Sequence, residues 1–156
     1  MAAQPSIEVQ FFRTLNRVIE PMVRAGIGSP RIVPSGFIVL ETRGRKTGRV
    51  RRTPLAATRI AQHVFVGTFR GERSQWIRNL AATPSARYWL GGKPRDATAF
   101  LIYEGRRFRI PKSLPVAVQA VARLMAALTK AGWAFAVLRP QVEKTRRGKP
   151  RARRSR

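Results

Sequence analysis

The 156-residue chain has no cysteine, one histidine (His63) and only seven carboxylates to set against 32 lysines and arginines. Without thiols it forms no disulfide, no Cys/His zinc site and no dithiol redox pair. Asp96 is the sole aspartate, and Glu8, Glu20, Glu41, Glu72, Glu104 and Glu143 lie far apart, so the chain spells out neither a carboxylate dyad nor a cage for a hard metal. An enzyme built from this inventory needs a cofactor for its hard chemistry. Long apolar runs are missing too. The most apolar region, residues 114–138, is interrupted by Gln119, Arg123 and Lys130, which is incompatible with a bilayer span. Residues 1–10 lack the basic start, apolar stretch and small-residue cleavage site of a secretory signal. The expected location is the cytoplasm, with peripheral contact at the inner face of the plasma membrane left open.

Positive charge is abundant. The net charge of +25 calls for polyanionic company: nucleic acid, anionic lipid, or a ligand with several phosphates or carboxylates. A hydrophobic fraction of 44% still allows one ordinary globular core. The charge divides unevenly. Residues 144–156 read KTRRGKPRARRSR, eight basic side chains with no acid and almost nothing to bury, so they are expected to form a disordered basic tail. Residues 1–143 then make up the folded domain, and they keep 24 basic against 7 acidic residues.

Within that domain, residues 7–25 place Phe11, Phe12, Leu15, Val18, Ile19, Met22 and Val23 on one face of an amphipathic helix. Such a helix packs on its own domain or lies on an anionic membrane. Residues 36–42 are a short apolar strand, 43–49 a glycine-bracketed basic turn, and 50–58 the returning strand, with Pro54 restricting it to an edge or bulge. A strand over 63–69, a loop over 70–74 and a short helix over 75–82, capped by Ser74, come next. A hairpin follows over 86–103 around Gly91-Gly92, then a helix over 114–130 with Val118, Val121, Leu124, Met125 and Leu128 at helical spacing, and a strand over 133–138. Short connections between successive strands favour an α+β domain built on an antiparallel sheet or small barrel.

Two segments carry chemistry. In residues 40–55, LETRGRKTGRVRRTPL, six cations crowd one hairpin, while Gly44 and Gly48 permit turns that bring N–H groups up to an anion. The order is not that of a Walker loop. On these residues alone, a solvated basic hairpin and a ligand-binding loop stand equal. In residues 67–84, GTFRGERSQWIRNLAATP, Thr68, Arg70 and Ser74 offer donors near a strand end, and Trp76 and Asn79 share a helix face. Core packing is the ordinary role for Trp76, and backbone bridging or capping for Asn79.

The succession GRKTGRVRRTPL, a strand, a polar glycine loop and then W-x-x-N-L-A-x-x-P resembles the deazaflavin (coenzyme F420)-dependent nitroreductase family over residues 17–98. That resemblance implies a split β-barrel of mostly antiparallel strands with an N-terminal helix, a short inserted helix and a C-terminal helix. It also implies coenzyme F420 as cofactor, FMN being the weaker alternative, and hydride transfer to an electron-poor small molecule: a quinone, a nitro compound or an activated alkene. By resemblance, Arg45, Lys46, Thr47, Gly48 and Arg51 grip the coenzyme's phosphate and carboxylates, with Pro54 and Leu55 shaping the strand beneath. Thr68, Arg70 and Gly71 contact the deazaflavin side, and Trp76 and Asn79 fix that loop. The loop FRGERSQW is shorter than in many relatives, and residues 114–138 lack the tyrosines of relatives that reduce bulky nitroaromatics. No catalytic residue and no metal are implied, and a homodimer is the family expectation. The rival reading is a non-catalytic module for nucleic acid or another polyanion, with Phe65, Phe69, Tyr88 and Trp89 available for stacking; alternating strands place such aromatics in the core instead.

Overall fold

Turn chemistry and strand alternation divide the chain where the sequence indicates. The computed structural model describes Arg24 and residues 35–142. In order, these form β1 (Ser35–Arg43), β2 (Val50–Ile60), β3 (His63–Thr68), a single 3-10 turn (Gly71–Arg73), α1 (Gln75–Ala82), β4 (Ser85–Leu90), β5 (Lys93–Tyr103), α2 (Val116–Leu128), a second 3-10 turn (Thr129–Ala131) and β6 (Ala134–Pro140). The strands close into a barrel in the order β1-β2-β3-β6-β5-β4, and every pairing is antiparallel. The expected antiparallel barrel with an inserted helix is therefore present. The expected N-terminal helix, apart from Arg24, and the basic tail lie outside the described residues.

Closure removes the free sheet edges, and alternation sorts the side chains into two apolar groups. Ile38, Leu40, Val64, Val66, Tyr88, Leu101 and Leu138 fill the barrel, and α1 adds Trp76, Ile77 and Leu80 to the same cluster. Each of these three helix side chains is at least nine-tenths buried, and burial of a side chain of this size stabilises by about 1.5–3 kcal/mol. Residues of opposite parity, Phe65, Ile102, Phe135 and Val137, meet Val118 and Ala122 of α2 on the outside of the barrel. Pro54 pairs with Val39 of β1 in the half of β2 that β3 does not reach, since β3 pairs only from Ala57 onward. Its missing N–H therefore takes no bond from the β2–β3 ladder.

Three local expectations are corrected. Ser74 has the extended backbone of a helix N-cap, but its side chain makes no capping hydrogen bond. Its N–H donates to the Gly71 carbonyl, closing the 3-10 turn, and Arg78 Nε donates to the Glu72 carbonyl, so backbone groups and an arginine hold this helix start. In α2, Leu124 and Leu128 point to solvent and only Val118 and Ala122 are buried, because a helix apolar on every side does not define its inner face by spacing. Of the strand aromatics, Phe65 and Tyr88 are core residues as expected, whereas Trp89 is half-buried and Phe69 is exposed.

His63 opens β3 and is buried, and neither ring nitrogen has a hydrogen-bond partner among the described residues. Burial, and after it the nearby Arg139 guanidinium, lower its pKa below the ordinary 6.5. Between the lowered value and 6.5 the unfolded chain binds a proton that the folded chain refuses, so stability rises with pH in that window and falls as pH drops below 6.5. As the only histidine, it makes the effect assignable. Urea midpoints measured from pH 7.5 down to about 5.5 should fall in the wild type and stay nearly level in His63→Leu. Equal slopes in both proteins would refute the assignment.

Candidate functional site

The basic hairpin between β1 and β2 is built around two glycines. Gly48 has a φ of +66°, a left-handed conformation that favours glycine, and its N–H donates to the Gly44 carbonyl at 2.7 Å. The Gly44 N–H in turn donates to the Arg49 carbonyl at 2.8 Å, and a Cβ on Gly44 would lie 2.9 Å from Thr47 Oγ1. Thr47 Oγ1 also accepts the Arg49 N–H at 3.3 Å. The turn is thus tied internally, and its side chains project outward.

One side chain from α1 ties this turn to the rest of the fold. Asn79 is 5% exposed. Its Oδ1 accepts the Arg45 N–H at 3.2 Å, and its Nδ2 donates to Thr42 Oγ1, also at 3.2 Å. The β1–β2 register pairs Thr42 with Arg51 and Leu40 with Thr53, so Arg51 and Thr53 share the sheet face of Thr42 and Leu40, toward α1. The result is a basin of about 500 Å³ whose lining includes Arg45, Lys46, Thr47, Arg51, Thr53, Gln75, Trp76 and Asn79.

The electrostatics of the basin are one-sided. Arg52, at its edge, pairs with Glu41 at 3.0 Å and lies over the Trp89 ring at 5.4 Å. Arg45, Lys46 and Arg51 have no ion pair among the described residues. Exposed cations grouped without counter-charges attract anions carrying more than one charge, and guanidinium forks match phosphate and carboxylate oxygens. Among the described residues no three His, Cys, Asp or Glu side chains cluster as metal ligands would.

Six of the sequence-predicted site residues, Arg45, Lys46, Thr47, Arg51, Trp76 and Asn79, therefore line one basin. Gly48 shapes its turn without lining it. Arg70 and Gly71 line a different hollow of about 440 Å³ of mixed charge, together with Arg73, Glu72, Glu104, Tyr103 and Trp133. Gly71 has a φ of +59°, and a Cβ there would come within 2.8 Å of the Gly132 carbonyl oxygen, so two loops meet at that point. Thr68 is buried and its Oγ1 accepts the Arg70 N–H at 3.2 Å, fixing the turn. Pro54 and its partner Val39 have the opposite parity to Thr53 and Leu40, on the sheet face away from the basin. Thr42, Thr53 and Gln75 were missed by sequence reasoning; the register of the β1–β2 hairpin, Thr42 opposite Arg51, is the signal that places the first two.

Residues 13–132 match the model of a family described as F420H(2)-dependent quinone reductase. No curated protein matches the chain. Among solved structures it is similar to an F420-H2-dependent reductase, at 18% identity over 69% of this chain and 95% of that one, with a TM-score of 0.46. It is also similar to a pyridoxamine 5'-phosphate oxidase-related, FMN-binding protein from Nostoc punctiforme, at 13% identity over 80% and 78% of the two chains, with a TM-score of 0.48. A third such structure is general stress protein 26 from Bacillus anthracis, at 12% identity over 80% and 89%, with a TM-score of 0.46.

Asn79→Ala leaves the Thr42 hydroxyl and the Arg45 N–H without their partner, and Thr42 is 3% exposed. An unsatisfied buried polar group costs about 1–3 kcal/mol, so the urea midpoint should fall by a corresponding amount. An unchanged midpoint would mean that water replaces the amide at no cost.

Proposed function

We propose, from the premise that this chain belongs to the F420H(2)-dependent quinone reductase family, that it reduces a quinone-type acceptor and binds its coenzyme through the β1–β2 hairpin. Family membership makes coenzyme F420 the electron donor and F420-dependent reduction the reaction class. The acceptor and the assignment of residues are our reading. The observation that carries it is the basin of unpaired cations held by Asn79.

Bound at this basin, the reduced coenzyme supplies a hydride. The chain's own residues do the rest. Arg45, Lys46 and Arg51 neutralise the phosphate and carboxylates of the coenzyme, and Thr47 adds a hydroxyl beside them. Gly48 permits the backbone turn that aims these groups, and Asn79 holds that turn against α1, rather than the loop over 70–74 that the resemblance implied for it, while Trp76 lines the basin from the core side. Pro54 stiffens the strand below. In the second hollow, Arg70 and Gly71, in a turn pinned by Thr68, are assigned to the deazaflavin side, where the Arg70 guanidinium stabilises negative charge developing on the reduced acceptor. No side chain is assigned as acid or base. A quinone is preferred over a bulky nitroaromatic because Tyr103 is the sole tyrosine lining either hollow and α2 has none.

Titration with oxidised coenzyme F420, followed by its fluorescence, should show saturable binding that weakens steeply with salt. Lys46→Ala and Arg51→Ala should each weaken it about tenfold, equivalent to about 1.4 kcal/mol, with little change in thermal stability because both side chains are exposed. Wild-type binding that is absent, or that both substitutions leave intact, would overturn the assignment.

A further inference from the structure

Helix α2 is apolar on both sides. Its inner stripe, Val118 and Ala122, packs on Phe65, Phe135 and Val137 of the barrel. On the opposite side Val116, Ala120, Leu124, Ala127 and Leu128 form a second stripe at helical spacing, with Val116 81%, Leu124 65% and Leu128 44% exposed. Gln119 and Arg123 are the only polar side chains of the thirteen-residue helix. A docked helix ordinarily turns a polar face to water. Exposed leucines in a row are the mark of a surface that meets something else.

Charge identifies the partner. From Gly105 to Val142 the chain has seven cations and not one carboxylate. Exposed Lys112 and Lys130 stand just beyond the two ends of α2, and exposed Arg123 lies on the helix itself. A second copy of this chain would bring the same cations against them, at +25 per chain, with no acid on this segment to answer. A lipid surface answers both features, acyl chains for the leucines and anionic headgroups for the flanking lysines and arginine, whose aliphatic stems bridge the two zones.

We propose that the outward face of α2 docks the protein on an anionic bilayer, the helix lying in the plane of the headgroups. Thirteen residues rise only about 20 Å, too short to cross the hydrocarbon layer. Among the described residues no helix is long and apolar enough to span a membrane. Docking through α2 leaves the coenzyme basin, built from β1, β2 and α1, free of the interface. The inference does not depend on the identity of the coenzyme.

Co-sedimentation of the full chain with vesicles of phosphatidylcholine, alone or mixed with phosphatidylglycerol, tests it. Wild type should partition onto the mixed vesicles and stay in solution with the neutral ones. Leu124→Glu combined with Leu128→Glu should reduce that partition at least about tenfold, with wild-type circular dichroism and unchanged coenzyme F420 binding. Leu124→Gln with Leu128→Gln replaces this pair if the glutamates unfold the helix. Lys46→Ala with Arg51→Ala should leave the partition near wild type, which separates the stripe from general basicity. Three results would overturn the proposal: no partition onto anionic vesicles, equal partition of wild type and the leucine variants, or a wild-type dimer in sedimentation equilibrium that those variants convert to monomer.

Discussion

A single buried amide holds the cationic hairpin to the barrel. Asn79 uses both ends of its side chain, accepting the Arg45 N–H and donating to Thr42, residues 34 and 37 positions away in sequence. Arg45, Lys46 and Arg51 repel one another, and water-exposed loops relieve such repulsion by spreading. The amide prevents this at the backbone level, since it fixes where the Arg45 peptide lies without neutralising any charge. Aspartate could not play both parts, because an ionised carboxylate has no hydrogen to donate to the threonine. Asn79 itself is placed by α1, whose Trp76, Ile77 and Leu80 are anchored in the barrel interior. The chain of dependence runs from core packing, to helix position, to one amide, to the spacing of cations.

This hierarchy explains what could be read from the residues and what could not. Strand and hairpin limits were legible at β1, β2, β4 and β5 because glycine turns and alternating apolar residues are local signals. The bounds of α1 were legible for the same reason. The role of Ser74 was misread, since a 3-10 turn consumes its N–H and the Arg78 side chain reaches the Glu72 carbonyl, arrangements that depend on how the loop is pulled across the barrel end. Asn79 could be named as a bridging residue, but its partners lie on another element and only the closed barrel brings them within 3.2 Å. The two faces of α2 were invisible for the opposite reason: with apolar residues all round, the 3.6-residue period carries no phase.

Positive charge also acquires distinct meanings. Arg52 and Arg87 are engaged with Glu41 and Asp96, which accounts for two of the few carboxylates. These exposed pairs contribute little to stability, but they remove Arg52 from the set of free cations at the basin. Scarcity of acid therefore works as selection. Arg52 and Arg87 are occupied by a carboxylate, whereas Arg45, Lys46 and Arg51 have no ion pair among the described residues, leaving their charge for the anionic ligand proposed to bind there.

The position of the sole histidine bears on how such a ligand is used. His63 shares the outward parity of Phe65, which packs beneath α2, whereas Val64 and Val66 point into the barrel. Its hairpin partner is Ile60, at the far end of β2 from Arg51. It lines neither the cationic basin nor the hollow at Arg70. The one side chain whose ordinary pKa lies near neutrality is thus outside the lining of both, and burial biases it toward the uncharged form. What the cationic basin itself offers is permanent positive charge, backbone N–H groups, hydroxyls and amides, groups that orient and stabilise anions without exchanging protons at neutral pH, while Glu72 and Glu104 stand with Arg70 and Arg73 at the second hollow. A chain so equipped contributes position and electrostatics, and the bond-making electrons must arrive with the coenzyme.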